Sequence, residues 1–138
     1  MSDLNSYFAL AENEYLYLES DLNRSDEIGN YNRVACVCSQ IAEMYFKAII
    51  DNCFGETENL SLLHSNNLRA LFNKIITTYN LSISSKDCNW LGDFYFDAGN
   101  PGDDFIIVNR EDALECMDLI VKIRKDTIRI LHDLEERR

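Results

Sequence analysis

The chain has 138 residues, 46% of them hydrophobic and 27% charged, which suits one soluble domain (1–138) that folds around a single core without disulfides or a cofactor. Acidic residues outnumber basic ones 24 to 13, a net charge of −11, so the average surface repels a polyanion and RNA or DNA is a disfavoured partner. The start, MSDLNSYFALAENEY, lacks the basic and apolar regions of a secretory signal, no apolar run approaches a membrane span, and five cysteines (Cys36, Cys38, Cys53, Cys88 and Cys116) without framework spacing suit reduced thiols in a cytoplasmic protein.

Leu4, Phe8, Ala11, Tyr15, Leu18 and Leu22 advance by fours and threes, which predicts a first helix over about residues 3–22. The polar NRSDEIGN at 23–30 has no sustained period and reads as a loop. A wider apolar stripe, Val34, Cys38, Ile41, Ala42, Tyr45, Phe46, Ile49 and Cys53, predicts a second helix over about 31–53, the most buried of the set. Gly55 stands just past its end, where a left-handed C-terminal position favours glycine. Leu68, Leu71, Phe72, Ile75, Ile76 and Tyr79 predict a third helix, with Asn66 or Ser65 as its cap. Ser84, three residues before Asp87, opens a short aromatic fourth helix carrying Leu91, Phe94, Tyr95 and Ala98.

The helical pattern then breaks at Gly99, Pro101 and Gly102, and FIIV at 105–108 is β-prone but has no second strand to pair with, so it is expected as extended loop. Asn109 followed by Glu111 and Asp112 caps a last helix of roughly 26 residues and about 39 Å, longer than a compact domain of this size needs. The fold expected is all-α: five helices in an antiparallel bundle, four main and one short.

Few residues in this pattern carry chemistry. FYFDAGNPGDDF at 94–105 lacks the lysine and hydroxyl residue of a phosphate loop, and its aspartates do not have the spacing of a calcium loop. No metal and no cofactor are expected. Cys36 and Cys38, two apart on a helix, point to opposite sides and read as packing residues. Glu43 and Lys47 have the favourable i,i+4 order of a surface ion pair. The only histidines are His64, before the third helix, and His132, near Arg129 in the last. Neither has a serine or cysteine arrangement that signals a nucleophile.

Three stretches together resemble the HEPN family of small helical domains associated with nucleotide binding: RVACVCSQIAEMYFKAII with Gln40, Ala42, Glu43, Lys47 and Ala48, NLRALF at 67–72, and AGNPGDDF at 98–105 before NREDALECMDLIVKIR. The resemblance covers about residues 5–132. It implies a five-helix bundle that pairs as a homodimer, often beside a minimal nucleotidyltransferase in a toxin-antitoxin or nucleotide-binding pair. In the ribonuclease branch, an arginine followed after four to six residues by histidine meets its copy across the dimer and cuts RNA without metal.

Here no arginine has a histidine at that interval: Arg129 is too close to His132 and Arg124 too far. Gly99 and Asn100 stand where relatives carry arginine and tyrosine. The resemblance therefore implies a non-catalytic binding and dimerisation module, with Glu43, Lys47, Tyr95, Asp97 and Asn100 as the ligand or partner residues. The alternatives are an atypical endonuclease built from His64, Arg129 and His132, and a helical scaffold without ligand. A second copy is also expected from the aromatic surplus, Trp90 included, and from the overlong last helix.

Overall fold

The computed structural model describes residues 6–55, 57–97 and 107–137, with only the backbone of residues 57 and 95–97. The regular elements among these residues are all helices: α1 (Tyr7–Leu16), α2 (Leu18–Ile28), α3 (Asn32–Phe54), a 3₁₀ turn (Thr57–Asn59), α4 (Leu60–Leu63), α5 (Leu68–Ile76), α6 (Ser85–Asp97) and α7 (Arg110–Glu136). None of these helices is long and apolar enough to cross a membrane.

The first predicted helix is two. At Tyr17 the backbone tightens, its N–H bonding the Glu14 carbonyl at 3.1 Å, and the chain resumes as α2. Such a 3₁₀ step leaves the apolar stripe nearly in phase, so periodicity does not reveal it. The loop expected at 23–30 is instead helical to Ile28 and ends at Gly29, whose φ of 70° and ψ of 27° make the left-handed C-cap. Its polar residues are used rather than idle: Asp26 accepts from Tyr31 Oη at 2.6 Å and from Arg110 Nε at 2.9 Å. Gly55 also has positive φ, 87°, but its ψ of 140° is extended and not left-handed helical. The segment after it adds the 3₁₀ turn and α4, neither of them foreseen, because four-residue helices carry too little period to read.

Capping follows local chemistry. Asn67, rather than Asn66 or Ser65, caps α5 by accepting from Ala70 N at 3.2 Å, while Ser65 Oγ accepts from Asn67 N. Ser84 accepts from Asp87 N at the start of α6, and Asn109 from Asp112 N at the start of α7, as the sequence predicts. The FIIV stretch lies outside the described residues except for Ile107 and Val108, which are not helical. Val108 N donates to the buried Asn32 Oδ1 at 2.8 Å, which pins the approach to α7 against the start of α3.

Helix α3 is the centre. Val34, Cys38, Ile41, Ala42, Tyr45, Phe46, Ile49 and Ile50 are all fully enclosed, and α1, α5, α6 and α7 pack around them. The aromatic surplus is largely consumed here: Phe8, Tyr15, Tyr31, Tyr79 and Trp90 pack against this core, Trp90 edge-on to Phe94 at 4.9 Å. Among the described residues Tyr17 is an exception and stays exposed.

One polar cluster ties three helices. Arg124 of α7 grips Glu12 of α1 through Nε at 2.7 Å and a terminal nitrogen at 3.0 Å, and Tyr45 of α3 donates to the same carboxylate at 2.7 Å. The Arg124 guanidinium also lies 4.8 Å from the centre of the Tyr15 ring. Partial burial by itself raises the Glu12 carboxyl, but the bonds from Arg124 and Tyr45 outweigh it and hold the group below the ordinary carboxylate range. Because the folded value is depressed, this stability is present above the unfolded value of about 4.3 and is lost as pH falls through the folded one. Glu12→Gln is expected to lower stability at neutral pH and to flatten its fall between about pH 5 and pH 3 relative to wild type. Urea denaturation across that range checks this, and parallel pH curves for the two proteins would refute it.

Candidate functional site

A concavity lies where the start of α5 meets α6. Gly92 permits this junction: a Cβ there would come 3.3 Å from Leu68 Cβ, tighter than ordinary packing, so its absence lets the helices close. Cys88 is fully buried beneath, its Sγ 3.8 Å from the Leu68 carbonyl oxygen. Above this floor opens a crevice of about 500 Å³ lined by Ser65, Asn66, Asn67, Arg69, Asn89 and Asp93. Arg69 Nε donates to Asn89 Oδ1 at 3.0 Å, so the guanidinium is held across the crevice from one helix to the other.

The lining offers amides, a hydroxyl, one cation and one carboxylate, a set that recognises a small polar molecule by hydrogen bonds. It holds no activated nucleophile, since burial pushes the Cys88 thiol up to about 12. Cys116 is likewise raised to about 12 by burial, and burial also raises the thiol of Cys38, enclosed beside it, well above its ordinary value. The reading of Cys38 as a packing residue agrees with its full enclosure, while Cys36 is half-buried.

The residues singled out in the sequence fall in separate places. His64 is exposed at the end of α4. Arg129 donates to the Asn80 carbonyl at 2.9 Å and to Asp126 Oδ1 at 3.3 Å. Asp126, only 5% exposed, in turn accepts from Ser82 N at 2.6 Å and Ser82 Oγ at 2.8 Å. Arg129 and Asp126 therefore brace the α5–α6 connection against α7. His132 is exposed, and its Nε2 lies 3.7 Å from Glu136 Oε1. Among the described residues no hydrogen bond or ion pair joins either histidine to Arg129 or to the other. His132, Asp133 and Glu136 bring ligand-type atoms within 4.8 Å of one another, but all three are exposed on the last turns of α7, where such side chains commonly cluster in solvent. The side chains of Tyr95 and Asp97, and all of Asn100, lie outside the described residues.

Glu43 and Lys47 require a correction. They form the expected i,i+4 pair, with Lys47 Nζ 3.1 Å from Glu43 Oε2, but the pair is buried rather than on the surface, the two side chains being 8% and 7% exposed. A helix wheel assigns charge to the solvent side by default. The position of α3 at the centre leaves only a narrow open strip, at Gln40 and the half-buried Met44, over this part of its length.

Sequence reasoning had no means to find the crevice. Its floor is set by Gly92, an isolated glycine in an aromatic helix, and its walls come from residues about 20 positions apart. The capping asparagine and Arg69 within NLRALF were visible as sequence, but nothing in their spacing marked a cavity. Compared with protein-family models, curated proteins and solved structures, the chain matches none.

The buried ion pair makes a stability prediction. Lys47→Ala strands a desolvated carboxylate and is expected to cost about 3 to 5 kcal/mol, whereas replacing both members, Glu43→Leu with Lys47→Met, is expected to restore most of that loss. Chemical denaturation of the three proteins reads the difference. A single variant within about 1 kcal/mol of wild type would show that the pair is solvated.

Proposed function

We propose that the chain is a non-catalytic, HEPN-like binding and dimerisation module whose ligand groove is the crevice between α5 and α6. The observation that carries the reading is the crevice itself, with Arg69 bonded across it to Asn89 and the hydroxyl and amide side chains of Ser65, Asn66 and Asn67 around it. A guanidinium beside amide side chains suits a ligand with several acceptor oxygens or ring nitrogens. Given the resemblance in NLRALF and in the α3 segment, the ligand class is a nucleotide or similar small polar molecule, and the protein partner is a second copy or a minimal nucleotidyltransferase. A cytoplasmic location follows from the same reading.

The atypical endonuclease reading draws less support. Catalysis of that kind needs a cation free to meet the charged phosphorane, and Arg129 is already committed to Asn80 and Asp126. The net charge of −11 further opposes a polyanionic substrate.

Titration of the protein with adenine and guanine nucleotides, followed by calorimetry and by melting temperature, tests the proposal. Saturable binding is expected, weakened at least about tenfold in Arg69→Ala, because a charge-assisted hydrogen bond contributes about 1.5 to 3 kcal/mol. Absence of a melting shift with every nucleotide would overturn the nucleotide assignment. RNA cleavage by wild type that is lost in His132→Ala would overturn the non-catalytic one.

A further inference from the structure

Among the described residues the outer face of α7 is left partly open to solvent. Leu114, Asp118, Val121, Lys125, Ile128 and His132 recur at steps of four and three along it, so they form one stripe of the helix. The structure leaves Leu114 and Ile128 each 39% exposed, Val121 half-buried, and Asp118, Lys125 and His132 exposed. Three aliphatic residues seven apart thus alternate with ionisable ones on a face that no described element covers. Around Val121 the exposed charges change sign: Glu111, Glu115 and Asp118 precede it and Lys122, Lys125 and Arg129 follow it, before Asp133, Glu135 and Glu136 return the last turns to acid.

We infer that α7 pairs antiparallel with α7 of a second copy, across a two-fold axis beside Val121. This deepens the dimerisation part of the proposed function and is independent of the ligand in the crevice. A two-fold axis there brings Leu114 of one copy toward Ile128 of the other, Val121 toward its own equivalent, and Asp118 toward Lys125. The contacts are made twice. Leu114 and Ile128 are about 21 Å apart along the helix, so the contact occupies the middle of α7 rather than a frayed end.

Two further observations agree with this occupant. Ile128 borders a small cleft whose apolar part is formed with Phe8 and Leu131 and whose rim carries His132 and Glu135, and in the paired arrangement the second copy's Leu114 is the side chain opposite it. Lys125 has no ion-pair partner within its own chain among the described residues, while Asp118 has only the exposed Lys122 at 3.3 Å. A parallel arrangement instead sets Asp118 against Asp118 and Lys125 against Lys125, so charge selects the antiparallel one. Two chains of −11 repel at a distance, and opposite charges meeting at short range is what permits this contact.

The test is a charge exchange read by sedimentation equilibrium. Wild type is expected to dimerise in the micromolar range. Asp118→Lys alone and Lys125→Asp alone each create two like-charge contacts, and each is expected to weaken the dimer at least about tenfold, which is about 1.4 kcal/mol. An equimolar mixture of the two variants restores both contacts with opposite sign and is expected to recover wild-type association. Circular dichroism of each variant checks that the exposed substitutions leave the fold intact. A wild-type dimer that both single variants leave unchanged would overturn the α7 interface while leaving a dimerising module. Failure of the mixture to recover after both variants had weakened would overturn the antiparallel pairing. A wild type monomeric at several hundred micromolar would overturn the interface and the dimerisation reading together, and nucleotide binding would still be judged by its own titration.

Discussion

Helix α3 carries apolar side chains around more of its circumference than one neighbouring helix can cover, and much of the architecture answers that constraint. Burial of a side chain such as Ile49 or Phe46 contributes about 1.5 to 3 kcal/mol when complete, and completeness requires helices on several sides. The long α7, the short α5 and α6 and the α1 layer are those covers. Their short connections then need local devices, and the asparagine and serine caps at residues 67, 84 and 109 supply them.

The same constraint decides the fate of charge. A polar residue on a surface helix costs little, but one on a central helix must bring its partner with it. Glu43 and Lys47 satisfy one another within α3, and Glu12, Tyr45 and Arg124 satisfy one another where three helices meet. Asp126 is buried against a loop and consumes Ser82 and Arg129 in the process. Arginine and aspartate residues that look available for chemistry in the sequence are therefore spent on holding the bundle together. The two surfaces proposed for function, the α5–α6 crevice and the outer stripe of α7, use different residues, so the proposed ligand binding and pairing can vary independently.

Much of the helical content was legible because amphipathic period is local. The stripes of α3, α5 and α7 are readable from residues within two or three turns, and so are Ser84 and Asn109 as caps. The misses share a cause. The step at Tyr17 leaves the period intact, α4 is too short to show one, and polarity at 23–28 imitated a loop although its side chains were answered by Tyr31 and Arg110. The crevice was not legible at all, because it depends on how closely α6 approaches Leu68.

From sequence alone come the all-helical class, the order of the main helices, the central rank of α3 and the charge pattern along α7, since each depends on neighbours within one helix. Tertiary structure alone decided which charges are interior, where the cavity lies and which face of α7 is left open. The reason is physical: burial and cavity shape are properties of pairs of surfaces, and those pairs join residues such as Glu12 and Arg124, 112 positions apart. No local period encodes their meeting.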